Sequence, residues 1–347
     1  MQQGRPTRQA RSVRGSLHLD IPSFPFEIPP FEPHPALHNR HLQTLVGNFL
    51  PDRRFPYQAV QHRVRLADGD QIVLHDDTPS GWEPGGRVAL LLHGLAGSFE
   101  STYMVRIAGK LKAAGVRTFR MDLRGSGAGE VLASHPYHGG RSEDARAALK
   151  SVSAICPESP ATLIGFSLSG NIVLKLLGEN PSDVPPNVKR AAVVCPSVDL
   201  RLCAQSTQGL FQRVYDRVFL RLVCRQIVAT RRRCQDLPPV HNPLHLKTVF
   251  EFDDAYIGPV CGFGNALEFY AANSAAPHVH KIRVPTLILA AADDPMVPVR
   301  CFRELRLSPQ VLLHITEHGG HLGFIGKRGI DADRRWMDWR IVDWTCR

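Results

Sequence analysis

The stretch that decides the fold is GFSLSG at residues 165–170. It follows a short apolar segment, 161–165, that predicts a strand, and it opens a segment, 168–179, that predicts a helix. A serine between a strand and a helix, flanked by small residues, is typical of a nucleophile elbow, a strained turn that exposes the hydroxyl at the end of the strand. The stretch therefore predicts that Ser167 is a nucleophile at the edge of a sheet.

Short apolar runs alternate with helical stretches on both sides of this turn. The runs that predict strands are 88–92, 116–121, 161–165, 189–195, 286–292 and 311–316. The stretches that predict helices are 101–114, 142–155, 168–179, 299–306 and 332–345. Residues 60–77 alternate around Asp68-Gly69 and predict a hairpin, and residues 35–45 predict a short helix. Apolar strands that do not alternate are buried on both faces, so we expect an α/β fold with a mostly parallel sheet covered by helices.

One long segment interrupts this series. Residues 196–280 are helical and basic and lie between two predicted strands, where an insertion would cover the ends of the sheet. Long insertions add little loop-closure entropy, so the sheet tolerates one. We therefore expect a basic, proline-rich arm at 1–34, core at 35–195, a helical cap at 196–280 and the rest of the core at 281–347.

A serine nucleophile needs a base, and the base needs a carboxylate to orient it. The predicted strand 286–292 ends in two acids, Asp293 and Asp294. We choose Asp294, because the acid in related turns commonly lies four residues before a proline, here Pro298; Asp293 remains the alternative. The chain order of nucleophile, acid and base is then the one that this type of sheet requires.

The base and the oxyanion donors come from two loops. Residues 317–322 follow the last predicted strand and contain His318 and His321, of which we choose His321 because two glycines before it free its backbone. A tetrahedral intermediate also needs preorganised N–H donors. The amides of Leu95, in the loop after the strand 88–92, and of Leu168, directly after the nucleophile, are the predicted pair.

With these motifs the chain resembles a known family, the YheT-like proteins of the α/β-hydrolase fold, with their animal lipase and phospholipase relatives. The motifs that carry the resemblance lie at 36–45, 93–98, 122–127, 165–170, 293–295 and 319–321, and in the cap at 252–254, 262–263 and 270. They cover about 35–345. The chain departs from the family at Arg40, where proline is usual, and at Ser169, where glycine is usual.

The resemblance implies an α/β-hydrolase fold and ester hydrolysis. We therefore expect a serine esterase, a carboxylesterase or lipase-like enzyme, that cleaves small-molecule esters of short to medium acyl chains or acylglycerols. Two alternatives remain open. Certain fungal relatives transfer acyl groups to alcohols, which implies the same acyl-enzyme, and a binding protein without catalysis would keep only the fold. The natural acyl chain and headgroup cannot be read from the residues.

The net charge of +10 comes from two segments. Residues 1–16 hold four arginines and no acid, and residues 201–235 hold eight arginines and one aspartate, which leaves about −1 for the rest. Four of the cap arginines are spaced by four residues and so form one helical stripe: Arg213, Arg217, Arg221 and Arg225. The stripe is either a solvated helix face or a surface that docks on anionic lipid. We expect no nucleic-acid partner, because the sequence contains no recognised nucleic-acid-binding module and only 7% of its residues are aromatic.

The remaining features predict a cytoplasmic protein, in contact with membranes only through the cap. No run of 18 apolar residues predicts a membrane span, and no apolar signal segment follows Arg14. The eight cysteines form no C-x-x-C pair and are interpreted as reduced thiols. The pairs at His135 and His138 and at His318 and His321 have no further ligands, so we expect neither a metal nor a cofactor.

Overall fold

The computed structural model describes residues 26–49, 57–206, 210–231, 238–240 and 245–347. The basic residues predicted for the tail, 1–16, lie outside the described residues, and so do Arg232 and Arg233 of the basic cap segment.

Eight strands form one mostly parallel sheet, as predicted. Strands β1 to β8 are Val60–Arg65, Gln71–Asp77, Val88–Leu92, Arg117–Asp122, Ala161–Phe166, Val188–Val194, Thr286–Ala291 and Val311–Thr316. Their order in the sheet is β1-β2-β4-β3-β5-β6-β7-β8. Strand β2 is antiparallel to both of its neighbours, β1 and β4, and all other neighbours are parallel. Parallel neighbours require crossovers, and helices supply them.

Helices cover both faces of this sheet. Helices α1 to α11 are Arg40–Phe49, Thr102–Ala113, Ser142–Ile155, Leu168–Glu179, Leu200–Gln205, Leu210–Arg231, Val249–Phe252, Gly258–Val260, Ala266–Asn273, Arg300–Arg303 and Trp336–Cys346. A π-helical turn, Asp253–Ile257, joins α7 to α8, and short 3-10 turns lie at Gly127–Gly129, Pro181–Asp183 and Ala276–Lys281. Strand β3 shows why both faces must be covered, because Leu90 packs with α3 and α4 whereas Leu91 packs with α2 and α11.

Two predicted helices are shorter than expected. Helix α10 ends at Arg303, not near residue 306, because Leu305 and Leu307 both pack against the core from an extended segment. Helix α11 begins at Trp336, not near residue 332, because the Asp333 side chain accepts the Arg335 amide and makes a turn just before the helix.

The helices between β6 and β7 bury a separate apolar cluster. One side of α6 contributes Leu220, Val223 and Ile227, which pack against residues of α7, α9 and the π-helical turn. The division of the chain at residues 34, 195 and 280 into arm, core and cap stays a proposal.

The seven cysteines that the structure describes are free thiols. Among its described helices, none combines the length and the hydropathy that a membrane crossing would require. The cytoplasmic location stays a prediction.

Candidate active site

The predicted elbow lies where β5 ends and α4 begins, and Ser167 is the residue between them. Its φ of 52° is in the left-handed region, which is strained for a residue with a side chain. Glycines make the turn possible. A Cβ at Gly165 would lie 2.6 Å from the carbonyl oxygen of Ser169, and one at Gly170 would lie 2.6 Å from Cβ of Pro196. The local sequence therefore folds into a turn that raises Ser167 above the sheet.

Serine replaces the usual glycine at position 169 and has a bonding partner. The Ser169 side chain is fully buried, and its hydroxyl donates to the carbonyl oxygen of His93. Because His93 lies in the loop after β3, this bond ties the elbow to the loop that carries the predicted oxyanion donor Leu95. The departure from the family pattern thus adds a contact within the site.

Gly165→Ala should destabilise the protein, because the added methyl group would overlap the carbonyl oxygen of Ser169 and lie 2.8 Å from a methyl group of Val173. We expect the free energy of unfolding, measured by urea denaturation, to fall by about 1–3 kcal/mol. Gly329→Ala is the control, since a Cβ there meets nothing within 4 Å. Equal stability of the two variants would contradict this account of the elbow.

Three of the predicted residues lie in one chain of contacts. Nε2 of His321 is 2.8 Å from Oγ of Ser167, and Nδ1 of His321 is 2.8 Å from Oδ2 of Asp294. The other oxygen of Asp294 accepts the amides of Met296 and Val297 at 2.8 and 2.9 Å. Asp294 and His321 are both buried. These bonds fix the carboxylate, so it can hold the imidazole in the tautomer that accepts a proton from the serine.

The alternative acid and base pair with each other instead. Asp293 lies 3.4 Å from His318 and accepts the amide of Gly320 at 2.9 Å. The His318 side chain is 42% exposed. In the described part of the chain neither residue makes a hydrogen bond or ion pair with Ser167. Asp293 and His318 therefore shape the loop around His321 without joining the chain of contacts.

Helix α1 holds the loop of His321 from the opposite end of the sequence. The His321 amide donates to Oγ1 of Thr44, and its carbonyl oxygen accepts from Asn48, both at 2.9 Å. The buried side chain of Gln43 bonds both the amide and the carbonyl of Ile325. In the sequence, residues 36–45 contribute only to the family resemblance. The polar residues at 43 and 44 in a short helix were the signal for a buried role.

The predicted oxyanion donors lie in the loop after β3 and in the first turn of α4. Among the described residues, neither the Leu95 amide nor the Leu168 amide donates to a protein acceptor. Both residues line the same cavity as Ser167. The Leu168 amide also belongs to the first turn of α4, where the helix dipole favours negative charge. A developing oxyanion needs free N–H donors, and the role of these two amides stays a proposal.

Two tyrosines that the sequence analysis missed hold the loop around Leu95. The Tyr103 hydroxyl accepts the amide of Gly94 at 2.9 Å, and the Tyr137 hydroxyl accepts the amide of Ala96 at 2.7 Å. Burial raises the pKa of both phenols, so they stay protonated. The amides on both sides of Leu95 are therefore bonded, whereas the Leu95 amide has no protein acceptor among the described residues.

A cavity of about 630 Å³ lies above Ser167 and His321. Helix α6, the π-helical turn and α9 contribute to its walls. Its apolar lining includes Leu95, Leu168, Leu200, Val218, Leu222 and Phe252. This volume lies in the usual range of small-molecule sites, and its lining suits an apolar chain.

In the part of the chain that the structure describes, two groups of side chains bring metal-type donor atoms within 4.8 Å of one another: Cys195, Asp294 and His321, and Asp68, Asp70 and His135. In the first group burial raises the pKa of the Cys195 thiol, which disfavours the thiolate that a metal needs. In the second group Arg124 contacts both aspartates, and it also bonds Asp144. A protonated thiol in the first group and the Arg124 guanidinium in the second therefore both disfavour a metal.

Comparison with known proteins agrees with this geometry. The profile of the alpha/beta hydrolase fold matches residues 88–327. The Escherichia coli protein named "Putative esterase YheT" is 32% identical over 90% of this chain and 92% of its own. The "Medium-chain fatty acid ethyl ester synthase/esterase 2" of Saccharomyces cerevisiae is 25% identical over 82% of this chain and 71% of its own.

A solved structure shows the same fold at low identity. The esterase Pf2001 of Pyrococcus furiosus superposes with a TM-score of 0.53 at 15% identity, over 85% of this chain and 95% of that one. Fold, profile and relatives agree, and the resemblance predicted from the motifs is confirmed. The chain belongs to the alpha/beta hydrolase family and, within it, to the YheT-like proteins.

Proposed function

We propose that this protein is a serine hydrolase that cleaves carboxylic esters, with acyl groups of short to medium length or acylglycerols as its substrates. The observation that carries the proposal is the chain of 2.8 Å contacts from Ser167 through His321 to Asp294. Membership of the alpha/beta hydrolase family, with relatives that carry esterase names, supports it.

In this proposal Ser167 Oγ attacks the acyl carbonyl carbon while Nε2 of His321 takes the hydroxyl proton. Asp294 stabilises the imidazolium that forms. The amides of Leu95 and Leu168 hold the oxyanion. The intermediate collapses to an acyl-enzyme as His321 gives the proton to the leaving alcohol. Water, deprotonated by the same imidazole, then attacks the acyl group and releases the acid and the free serine.

The test combines a covalent probe with a substrate panel. A fluorophosphonate should label the protein at Ser167, located by peptide mass spectrometry, and the protein should hydrolyse p-nitrophenyl esters. Rates across chain lengths from acetyl to dodecanoyl would define the acyl group that the cavity takes. Labelling elsewhere, or none, would overturn the proposal and favour the binding protein without catalysis.

Acyl transfer to an alcohol is the second candidate. The yeast relative whose name joins ethyl ester synthesis and hydrolysis favours it, as does the apolar cavity, which disfavours water at the acyl-enzyme. Product analysis with an octanoyl ester and ethanol separates the two reactions. Ethyl octanoate as the main product would identify a transferase, and octanoic acid would identify a hydrolase.

We further propose that α6 docks the protein on anionic lipid. The four stripe arginines, at 213, 217, 221 and 225, are all exposed. Beside them Val214, Val218 and Leu222 are 56%, 42% and 39% exposed, and all three also line the cavity. An exposed face that combines cations with apolar side chains is typical of helices that lie in a membrane interface. Docking through this face would bring the cavity to the lipid.

Reversing the charge at Arg217, Arg221 and Arg225, each to Glu, should abolish binding to phosphatidylserine vesicles in a sedimentation assay. Each basic residue near such a surface contributes about 1 kcal/mol, so three reversals remove the attraction and add repulsion. Hydrolysis of a soluble short-chain ester should be unchanged, since these side chains point to solvent.

The control reverses Arg303, Arg306 and Arg328, which are exposed outside the proposed cap and change the net charge equally. Retained binding of the α6 variant, or an equal loss of binding in the control, would indicate that the stripe is only a solvated helix face.

A further inference from the structure

The cavity contains a carboxyl group that the proposed reaction does not use. Asp253 is the first residue of the π-helical turn, and it lines the same cavity as Ser167. Asp253 is half-buried. Tyr270, from α9, lines the cavity beside it. An acid in a largely apolar wall of a substrate cavity needs a reason.

Asp253 has one protein partner. The Tyr270 hydroxyl donates to its Oδ2 at 2.7 Å, and among the described residues no cation or second donor contacts the carboxyl. Two fully buried acids of this protein have cations. Asp144 bonds Arg124, and Asp338 bonds Arg106. Without such a cation, burial raises the pKa of Asp253 to about 7.

The Tyr270 bond uses only one of the two carboxyl oxygens, and the other has no hydrogen-bond partner among the described residues. A ligand that enters the cavity can supply the missing bond. Since the Tyr270 proton is already committed to Asp253, the remaining sites of the ionised pair are acceptors. The ligand group must therefore be a hydrogen-bond donor.

A hydroxyl group fits this pair better than an ammonium group does. A hydroxyl donates to the carboxylate and can also accept from the protonated acid, so it can bond this carboxyl in either protonation state. An ammonium group has donors alone and matches only the ionised state.

We propose that Asp253 and Tyr270 form a subsite for a hydroxyl group of the substrate, so that the preferred esters are hydroxylated ones, such as partial esters of glycerol. This inference rests on the proposed ester hydrolysis. Asp253 is then a specificity-determining residue that contacts the substrate away from the reacting carbonyl, and Tyr270 orients its carboxyl.

The test compares two esters with the same acyl chain and a three-carbon alcohol. Monooctanoylglycerol has free hydroxyls, and propyl octanoate has none. For the parent we expect a higher kcat/KM for the glycerol ester. Asp253→Leu should lower the ratio of the two kcat/KM values about tenfold or more, through the KM of the glycerol ester, because a hydrogen bond to a charged group is lost.

Two conservative variants keep the test decisive if the leucine variant does not fold. Asp253→Asn and Tyr270→Phe preserve size, and each should lower the same ratio by a smaller factor. Asp254→Asn is the matched control, because Asp254 is exposed and its oxygen bonds the amide of Ala266. Its ratio should equal that of the parent.

The outcomes separate this inference from the function on which it rests. If both esters are hydrolysed and the ratio is the same in the parent and in the Asp253 and Tyr270 variants, the subsite is wrong and the hydrolase stands. If the parent hydrolyses neither ester and no fluorophosphonate reacts with Ser167, the proposed function falls and the subsite falls with it.

Discussion

Ser167→Ala is expected to lower kcat for hydrolysis of p-nitrophenyl butyrate by about 10⁴-fold or more, close to the limit of detection. The alanine cannot form the acyl-enzyme, and the remaining rate would come from the amides of Leu95 and Leu168 acting on attack by water. The variant should keep its fold, because alanine removes only the hydroxyl group, and the side chain that this hydroxyl contacts is His321. Loss of activity with an unchanged circular dichroism spectrum is the expected result.

The control for this variant is Ser153→Ala. Ser153 lies on α3, and its hydroxyl bonds Asn187, remote from the cavity lining. It should retain the parent rate and the parent labelling by a fluorophosphonate. A Ser167→Ala protein that keeps more than about a tenth of the parent kcat would show that another group is the nucleophile.

The second large effect is expected at the acid. Asp294→Asn should lower kcat by about 10³- to 10⁴-fold with little change in KM, because an amide cannot hold His321 in the tautomer that accepts the serine proton. The side chain is almost the same size, and it can still accept the amides of Met296 and Val297, so the turn should survive. The measurement is kcat and KM on a soluble ester.

Asp293→Asn provides the matched control, because the two acids are neighbours in sequence and differ in their contacts. Asp293 bonds the Gly320 amide and pairs with His318, so its loss should change kcat by no more than about tenfold. A larger loss at Asp293 than at Asp294 would transfer the role of the acid to Asp293.

Much of the fold could be predicted because its signals are local. Strand β8 and helix α4 begin and end where the sequence pattern places them, since small residues and apolar runs act within a few residues. The order of nucleophile, acid and base was likewise readable along the chain. The structure brings Ser167, Asp294 and His321 together, while their catalytic roles stay predictions.

Other parts of the site were not readable, because they depend on distant contacts. The choice between His318 and His321 rested on the glycines beside them. In the structure the two histidines differ in their acidic partners, because His321 bonds Asp294 and His318 pairs with Asp293. Tyr103 bonds Gly94, which lies 9 residues earlier in the chain, and Tyr137 bonds Ala96, which lies 41 residues earlier. In the sequence Asp253 is only one residue of a family motif, and its position in the cavity wall is visible only in the structure.

The hydrogen bonds from α1 to the His321 backbone join residues that are far apart in the chain. Helix α1 leaves the ribosome early, but Thr44 and Asn48 find their partners only when residues 321 and 325 have been made. Until then the growing chain can assemble β3 to β6 without a fixed base, because domains form from their own local contacts first. The contacts of His321 with Ser167 and Asp294 can therefore form only after residue 321 has been made, so these three residues cannot act together on a shorter nascent chain.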